Sequence, residues 1–345
     1  MPSRIAPTLL LVTPYLADAN NGNWRTAARW ARLLEPAYRP ILQAANAPVE
    51  GGRGEAAVAM IALHARRSRD AIRQWRSLHP DRALVVALTG TDLYRDLPNG
   101  DVAALCSLED AHRLVVLQVD ALAHLPPAAR AKADVIHQSA HALVPFAHKS
   151  AHRLNCVFVG HLRDEKDPST LFDAWRLLDP ALPVTLTIIG AALDATLGEA
   201  ARTLAAGDPR VQVLGARPHA WTRQAIKRAH LLIVPSRMEG GANVVVEAVT
   251  AGTPVLGSRM SGNVGMLGDD YPGLFGVGDP AALAASIERA HRDRGWLSQL
   301  VDHCRERAPL FTPSAERAAL LATVQRACTD AAGRMARSPS PCLQP

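Results

Sequence analysis

HLLIVPSRMEGGANVVVEAVTAGTPVLGS, residues 230–258, decides the fold. It opens on a buried-strand pattern, crosses a loop holding Gly240 and Gly241, and enters an apolar helical stretch headed by Asn243. A second strand pattern, TPVLGSR, follows Ala251 and Gly252. The loop of such a strand–loop–helix–strand unit leaves bare backbone N–H groups at a helix N-terminus, where anions and sugar hydroxyls bind. The glycines let a ligand approach the main chain closely. Glu239 stands on the loop and Glu247 about one turn into the helix, so both carboxylates can reach one ligand from the same side. The arrangement suits a phosphorylated, hydroxyl-rich small molecule.

The same rhythm runs outward in both directions. The first half carries TLLLVTP, VAMIALH, LVVALTG, RLVVLQ and ADVIHQS as strands, separated by amphipathic segments such as NWRTAARWARLLE and SRDAIRQWRSLH. The second half carries LNCVFVGHL, PVTLTIIGA, VQVLG and PGLFGVGD besides the opening pair. Strands that are apolar throughout, rather than alternating, are buried on both faces, which means parallel sheets flanked by helices. The pattern lapses at AHALVPFAHKSAH, residues 140–152, the best linker candidate. The reading is therefore α/β, with Rossmann-like doubly wound domains at 1–145 and 150–312 facing a central cleft. A helix over 313–332 is expected to pack back across the junction, and the Ser/Pro-rich 333–345 to be disordered.

Composition narrows the function. A chain of 345 residues, 48% hydrophobic, fills more than one core. The net charge of +6 and pI near 9.4 suit anionic substrates but are too mild and dispersed for nucleic acid. Of 38 basic residues only Lys132, Lys149, Lys166 and Lys227 are lysines. The five cysteines are scattered without a CxxC, so neither a disulfide framework nor a zinc site is expected, and a reducing cytoplasm fits. MPSRIAPTLLLVTPYLADA reads as a first strand rather than a signal peptide. No apolar run reaches the roughly 18 residues of a membrane span, so no stable membrane insertion is expected.

Other strand ends carry polar groups. In VFVGHLRDEKDP, Gly160 ends a strand and His161, Arg163 and Lys166 follow, a pattern fit for a diphosphate. In the first half, Asn21, Gly22 and Asn23 form a polar turn at a helix start that could serve as an anion nest. IALHARRSRD places His64, Arg66 and Arg67 at another strand end, and LTGTDLYRD places Thr89, Gly90, Thr91 and Asp92 at a third. SRMSGNVGMLGDD reads as a second glycine-rich loop. The GxGxxG fingerprint is absent, which counts against a nicotinamide dehydrogenase.

Together these residues resemble the GT-B-fold nucleotide-sugar glycosyltransferases with a Glu–seven residues–Glu motif. EGGANVVVE, Glu239 to Glu247, carries most of the resemblance. It implies that Glu247 holds the nucleotide ribose and Glu239 the donor sugar. The loop Gly240, Gly241, Ala242 and Asn243 then meets sugar and phosphates, and Lys166 the diphosphate. GHLRDEK puts His161 where an arginine is usual, so Arg163 or His161 takes that part. TPYLADANNGNWRTAARWARLL, IALHARRS, LTGTDLYRDL, VGHLRDEKDP and SRMEGGANVVVEAVTAGTPVLGSRMSGNVGMLG more narrowly resemble the selenosugar synthases of selenoneine biosynthesis. That resemblance implies a UDP-sugar donor (UDP-N-acetylglucosamine or UDP-glucose) and selenophosphate as acceptor. It also implies metabolic coupling to a selenophosphate synthetase and a downstream selenoneine synthase. Lys166, Glu239, His64 and Arg163 are then the expected catalytic groups. Gly160, His161, Gly240 to Asn243 and Glu247 bind the donor. Asn21, Gly22, Asn23, Arg66, Arg67, Thr89, Gly90, Thr91 and Asp92 bind the acceptor. No cofactor and no metal are expected. The rival readings are a glycosyltransferase acting on a small-molecule or lipid hydroxyl, and a non-catalytic sugar-nucleotide-binding protein.

Overall fold

The computed structural model describes residues 6–14, 16, 22–52 and 54–334. The chain divides into two compact units, 1–138 with 313–345, and 139–312. The division falls at Gln138/Ser139, earlier than the 145–150 break read from the sequence. The irregular stretch after it belongs to the second unit, with Leu143 N–H on Thr250 O and Pro145 packed near Gly252.

The first unit runs β1 (Thr8–Thr13), α1 (Gly22–Leu34), β2 (Arg39–Ala44), β3 (Ala59–Leu63), α2 (Arg69–Leu78), β4 (Ala83–Ala87), α3 (Val102–Asp110), β5 (Arg113–Val116), α4 (Pro127–Arg130) and β6 (Ala133–Val135). Its sheet is parallel, in the order β2-β1-β3-β4-β5-β6. Continuous apolar strands do serve two layers. Leu10 and Val12 face a core with Trp75 of α2, while Leu9 and Leu11 face one with Trp30 of α1. Strand β2 escaped the sequence reading because it is an edge strand, half-buried, whose RPILQA lacks a continuous apolar run.

The second unit runs β7 (Leu154–Val159), α5 (Pro168–Leu177), β8 (Val184–Ile189), α6 (Ala195–Gly207), β9 (Val211–Gly215), α7 (His219–Arg228), β10 (Leu231–Val234), α8 (Asn243–Val249), β11 (Val255–Ser258), α9 (Ser261–Leu267), β12 (Leu274–Phe275), α10 (Pro280–Arg292) and α11 (Arg294–Arg307). Its parallel order is β12-β11-β10-β7-β8-β9. The supposed glycine-rich loop at Ser261 is the helix α9. Gly262 serves close packing rather than a turn: a Cβ on it would stand 2.0 Å from the Glu239 carbonyl oxygen.

The last helix, α12 (Pro313–Arg334), returns to the first unit. Leu320, Val324 and Ala327 enter the Trp30 layer. Glu316 accepts from Trp30 Nε1 at 2.7 Å and pairs with Arg29, and Thr323 and Arg326 meet Asp134. The helix therefore runs two residues past its expected end at 332. The tail from 335 lies outside the described residues. Trp30 is wholly buried. Among the described residues, no helix is long and apolar enough to cross a membrane. Cys156, Cys304 and Cys328 are free, and Cys106 is disulfide-bonded.

Candidate active site

In the second unit two loops that follow neighbouring strands, β7 and β10, are stitched together. Arg237 and Met238 both donate their N–H groups to Glu165 O. The Arg237 guanidinium pairs with Asp167 at 3.0 Å, and that carboxylate raises its pKa above the ordinary arginine value. Asp167 also caps α5, accepting from Thr170 N–H and Oγ1, and adopts a left-handed φ of 44°. This clamp fixes Lys166, the preceding residue, against the glutamate loop. The Lys166 ammonium bonds Glu239 Oε1, and Ser236 Oγ donates to the same oxygen at 2.8 Å. Both side chains are mostly enclosed, at 17% and 10% exposure. Lys166 and Glu239, both read from the sequence as site residues, are brought together. The sequence reading missed the pairing of Asp167 with Arg237, seventy residues apart, which leaves no local spacing to read, and the bond from Ser236 to Glu239.

Close backbone approaches shape the rest. Gly190, at φ 154°, lies so near Gly160 that a Cβ there would stand 1.9 Å from the Gly160 oxygen. The Lys166 stem lies alongside Gly160. His161 Nδ1 accepts from Ala191 N–H at 3.1 Å. That bond settles the tautomer: in the neutral ring the proton sits on Nε2, which can only donate. Arg163 is half exposed and leans on Glu165 at 3.7 Å. Of the two replacements considered for the usual arginine, His161 is the one the fold holds in place. Asn263 of α9 ties two strand ends by donating Nδ2–H to Ser258 O, at 3.0 Å, and to Val234 O. Ala242 is buried and its N–H is taken by Met266 Sδ. Gly240, Gly241 and Asn243 lead into α8, where Glu247 is about one turn along. Glu247 Oε1 lies 2.6 Å from His219 Nε2, at the first residue of α7, a pairing the sequence did not reveal.

The close packing of Gly262 under Glu239 gives a first prediction. Gly262→Ala is expected to push the Glu239 main chain away and lower turnover about tenfold or more, with the second unit still folded. Steady-state kinetics beside a circular dichroism melt would show it.

In the first unit His64, Thr89 and Asp92 stand together at the ends of β3 and β4. His64 has φ 71° and is 2% exposed. Its Nδ1 lies 2.7 Å from Asp92 Oδ1. Asp92 is fully buried and also accepts from Thr89 N–H and Oγ1 and from Arg66 N–H. Asp92 is thus corrected from an acceptor ligand to a group that holds His64, because the carboxylate has no exposed edge left, while Thr89, which donates to it, is half-buried. The His64 Nδ1 faces both Asp92 Oδ1, at 2.7 Å, and the Arg67 N–H, at 3.4 Å, and Nε2 is buried with no hydrogen-bond partner among the described residues. Arg66 is also engaged, pairing with Asp96 at 3.0 Å. Arg67, at the first turn after β3, is exposed, while Gly90 and Thr91 are half-buried. Gly22 and Asn23 begin α1, and Asn21 lies outside the described residues. His64, Asp92 and Asp96 cluster within 4.8 Å, as metal ligands might, but Arg66 and Arg95 already balance Asp96.

Comparison with known proteins bears on the second unit first. Residues 153–293 match the family model described as "Glycosyl transferases group 1". That match covers less than half of the chain. Among curated proteins, the chain is 32% identical over 168 residues to a D-inositol 3-phosphate glycosyltransferase of Salinispora arenicola, covering 45% of this chain and 37% of the relative. A protein of the same name from Frankia alni is 33% identical over 107 residues, covering 31% of this chain and 26% of the relative. The matches thus span about a third of those relatives' length. Among solved structures, HepE of Anabaena in complex with UDP and glucose aligns at TM-score 0.70 and 16% identity, covering 92% of this chain and 99% of that one. Sucrose-phosphate synthase of Thermosynechococcus elongatus aligns at 0.73 and 18%, covering 90% and 96%. The fold is GT-B: two Rossmann-like parallel-sheet units.

Proposed function

We propose that the protein is a glycosyltransferase with a UDP-sugar as donor and selenophosphate as acceptor, acting in the cytoplasm. The observation that carries the donor half is the Lys166–Glu239 pair, locked beside Gly160 by the Asp167–Arg237 clamp, with Glu247 on the helix that follows. Glu247 takes the ribose hydroxyls and Glu239 the transferred sugar. Lys166 and the His161 Nε2–H stabilise negative charge as it grows on the leaving diphosphate. The bound complexes named for HepE, with UDP and with UDP-glucose, support this donor class.

The acceptor rests on the sequence resemblance. Selenium attacks the anomeric carbon, the carbon–oxygen bond to UDP breaks, and the electron pair leaves with the diphosphate through an oxocarbenium-like state. The first product keeps its phosphoryl group until water cleaves the phosphorus–selenium bond. A soft, already anionic nucleophile needs positive charge more than a strong base. His64 Nε2, Arg67 and the helix start at Gly22 and Asn23 are the groups we assign to it. Lys166 supplies the positive charge at the diphosphate, and we infer that no metal is required. A selenophosphate synthetase would supply the acceptor and a selenoneine synthase consume the product.

Incubation with UDP-N-acetylglucosamine or UDP-glucose and selenophosphate, read by mass spectrometry, tests both halves. A selenium-containing sugar with stoichiometric UDP is expected. UDP release only with hydroxyl acceptors would assign an ordinary glycosyltransferase, and UDP binding without any release would reduce the protein to a binding protein.

A further inference from the structure

We infer that His219 is a positioning residue for the nucleotide: it orients Glu247 so that this carboxylate can hold the ribose diol. The inference rests on the reading of Glu247 as the ribose ligand. Glu247 is 10% exposed at its side chain and has His219 Nε2 2.6 Å from Oε1 as its one side-chain hydrogen-bond partner among the described residues. The imidazole itself is half exposed, so it stands at the mouth of the carboxylate rather than behind it. An ionised carboxylate only accepts, so the ring N–H donates to Oε1 and leaves Oε2 and the second Oε1 lone pair for two sugar hydroxyls.

His219 is fixed by the fold, not by a loop. It is the first residue of α7, with Pro218 as N-cap and Thr222 Oγ1 bonded to Pro218 O. One turn on, Arg223 reaches His141 O at 2.7 Å and Oγ1 of Thr250, the C-cap of α8, at 3.5 Å. The two helices are thus joined by two rungs, His219–Glu247 and Arg223–Thr250. Only the first touches a group assigned to the ligand. A purely structural role would make both rungs equivalent, and that difference makes the inference testable.

The test is isothermal titration of the full chain with UDP and with 2′-deoxy-UDP, beside steady-state kinetics. A hydrogen bond to a charged group is worth enough to expect about tenfold. His219→Ala is expected to weaken UDP about tenfold, to raise KM for the donor similarly, and to narrow the preference for UDP over 2′-deoxy-UDP, with kcat little changed. His219→Gln, which retains an N–H at similar reach, should recover most of the preference. Arg223→Ala should leave the ratio of the two affinities unchanged. If Glu247→Ala abolishes the preference while His219→Ala leaves it intact, His219 is only a helix contact and the inference fails. If Glu247→Ala keeps the preference, the ribose reading of Glu247 fails and takes the inference with it. A loss of preference in Arg223→Ala equal to that in His219→Ala would also overturn it, since helix docking alone would then account for both.

Discussion

Lys166→Ala is expected to lower kcat/KM for the UDP-sugar by about 10²–10³, measured as UDP release, because the charge developing on the diphosphate loses its nearest fixed cation. Position supports the size of the effect. The ammonium is mostly enclosed and held by Glu239 Oε1, and its stem lies along Gly160 at the end of β7. Little rearrangement is needed as the leaving group departs, which is the condition under which such a charge is most effective. Arginine should recover under a tenth of the lost rate. A planar guanidinium does not fit a slot shaped by a strand-end glycine and a single carboxylate oxygen, and lysine acts there as a point charge. The same substitution leaves Glu239 with only the Ser236 hydroxyl, so some stability of the second unit is lost too. The double variant Lys166→Ala/Glu239→Gln separates the two effects. It should regain stability relative to Lys166→Ala without regaining rate. A drop of less than threefold in kcat/KM for Lys166→Ala would mean that the lysine serves only its ion pair.

The legible part of this site followed from local chemistry. A strand-end glycine six residues before a lysine in an arginine-rich chain, and a Glu-Gly-Gly loop after another strand, are each visible within a short stretch of sequence. The parallel sheets were legible for the same reason: strands such as TLLLVT and HLLIV are apolar without alternation, which only two-sided burial explains. Edge strand β2, half-exposed, has no such signature. Helix α9 was hidden because its SGNVGML looks like a loop, and only the approach of Gly262 to Glu239 shows why a helix needs glycine there. The hydrogen-bonding partners were out of reach altogether. Nothing in the spacing of Arg237 from Asp167, or of His219 from Glu247, marks them as pairs; the strand order β10-β7-β8 and the packing of α7 on α8 create them. Asp92 was misread as a ligand because a strand-end carboxylate looks the same on paper whether it meets solvent or four internal donors.

That carboxylate has the largest expected effect on stability. Asp92→Ala is expected to destabilise the first unit by about 3–5 kcal/mol, since it leaves a buried imidazole and the Thr89 and Arg66 N–H groups without their acceptor. For a unit of this size that is a fall of roughly 10 °C in its melting transition, readable by calorimetry. The stability result alone cannot say what His64 is for, and a second variant does. His64→Asn suits the left-handed backbone at φ 71° and keeps an amide within reach of Asp92. It should therefore cost little stability. What it removes is Nε2, a buried nitrogen lone pair with no hydrogen-bond partner among the described residues. Leaving such a group unsatisfied costs about 1–3 kcal/mol, an expense a fold retains where a ligand supplies the missing partner. The carboxylate at 2.7 Å outweighs the Arg67 N–H at 3.4 Å, so Nδ1 donates to Asp92 and Nε2 is the acceptor and base of the neutral ring. Turnover by His64→Asn is accordingly expected to fall about 10²-fold while the melting transition stays within a few degrees. If turnover is unchanged at that melting temperature, the His64–Asp92 pair is an internal strut of the first sheet and the acceptor is held elsewhere.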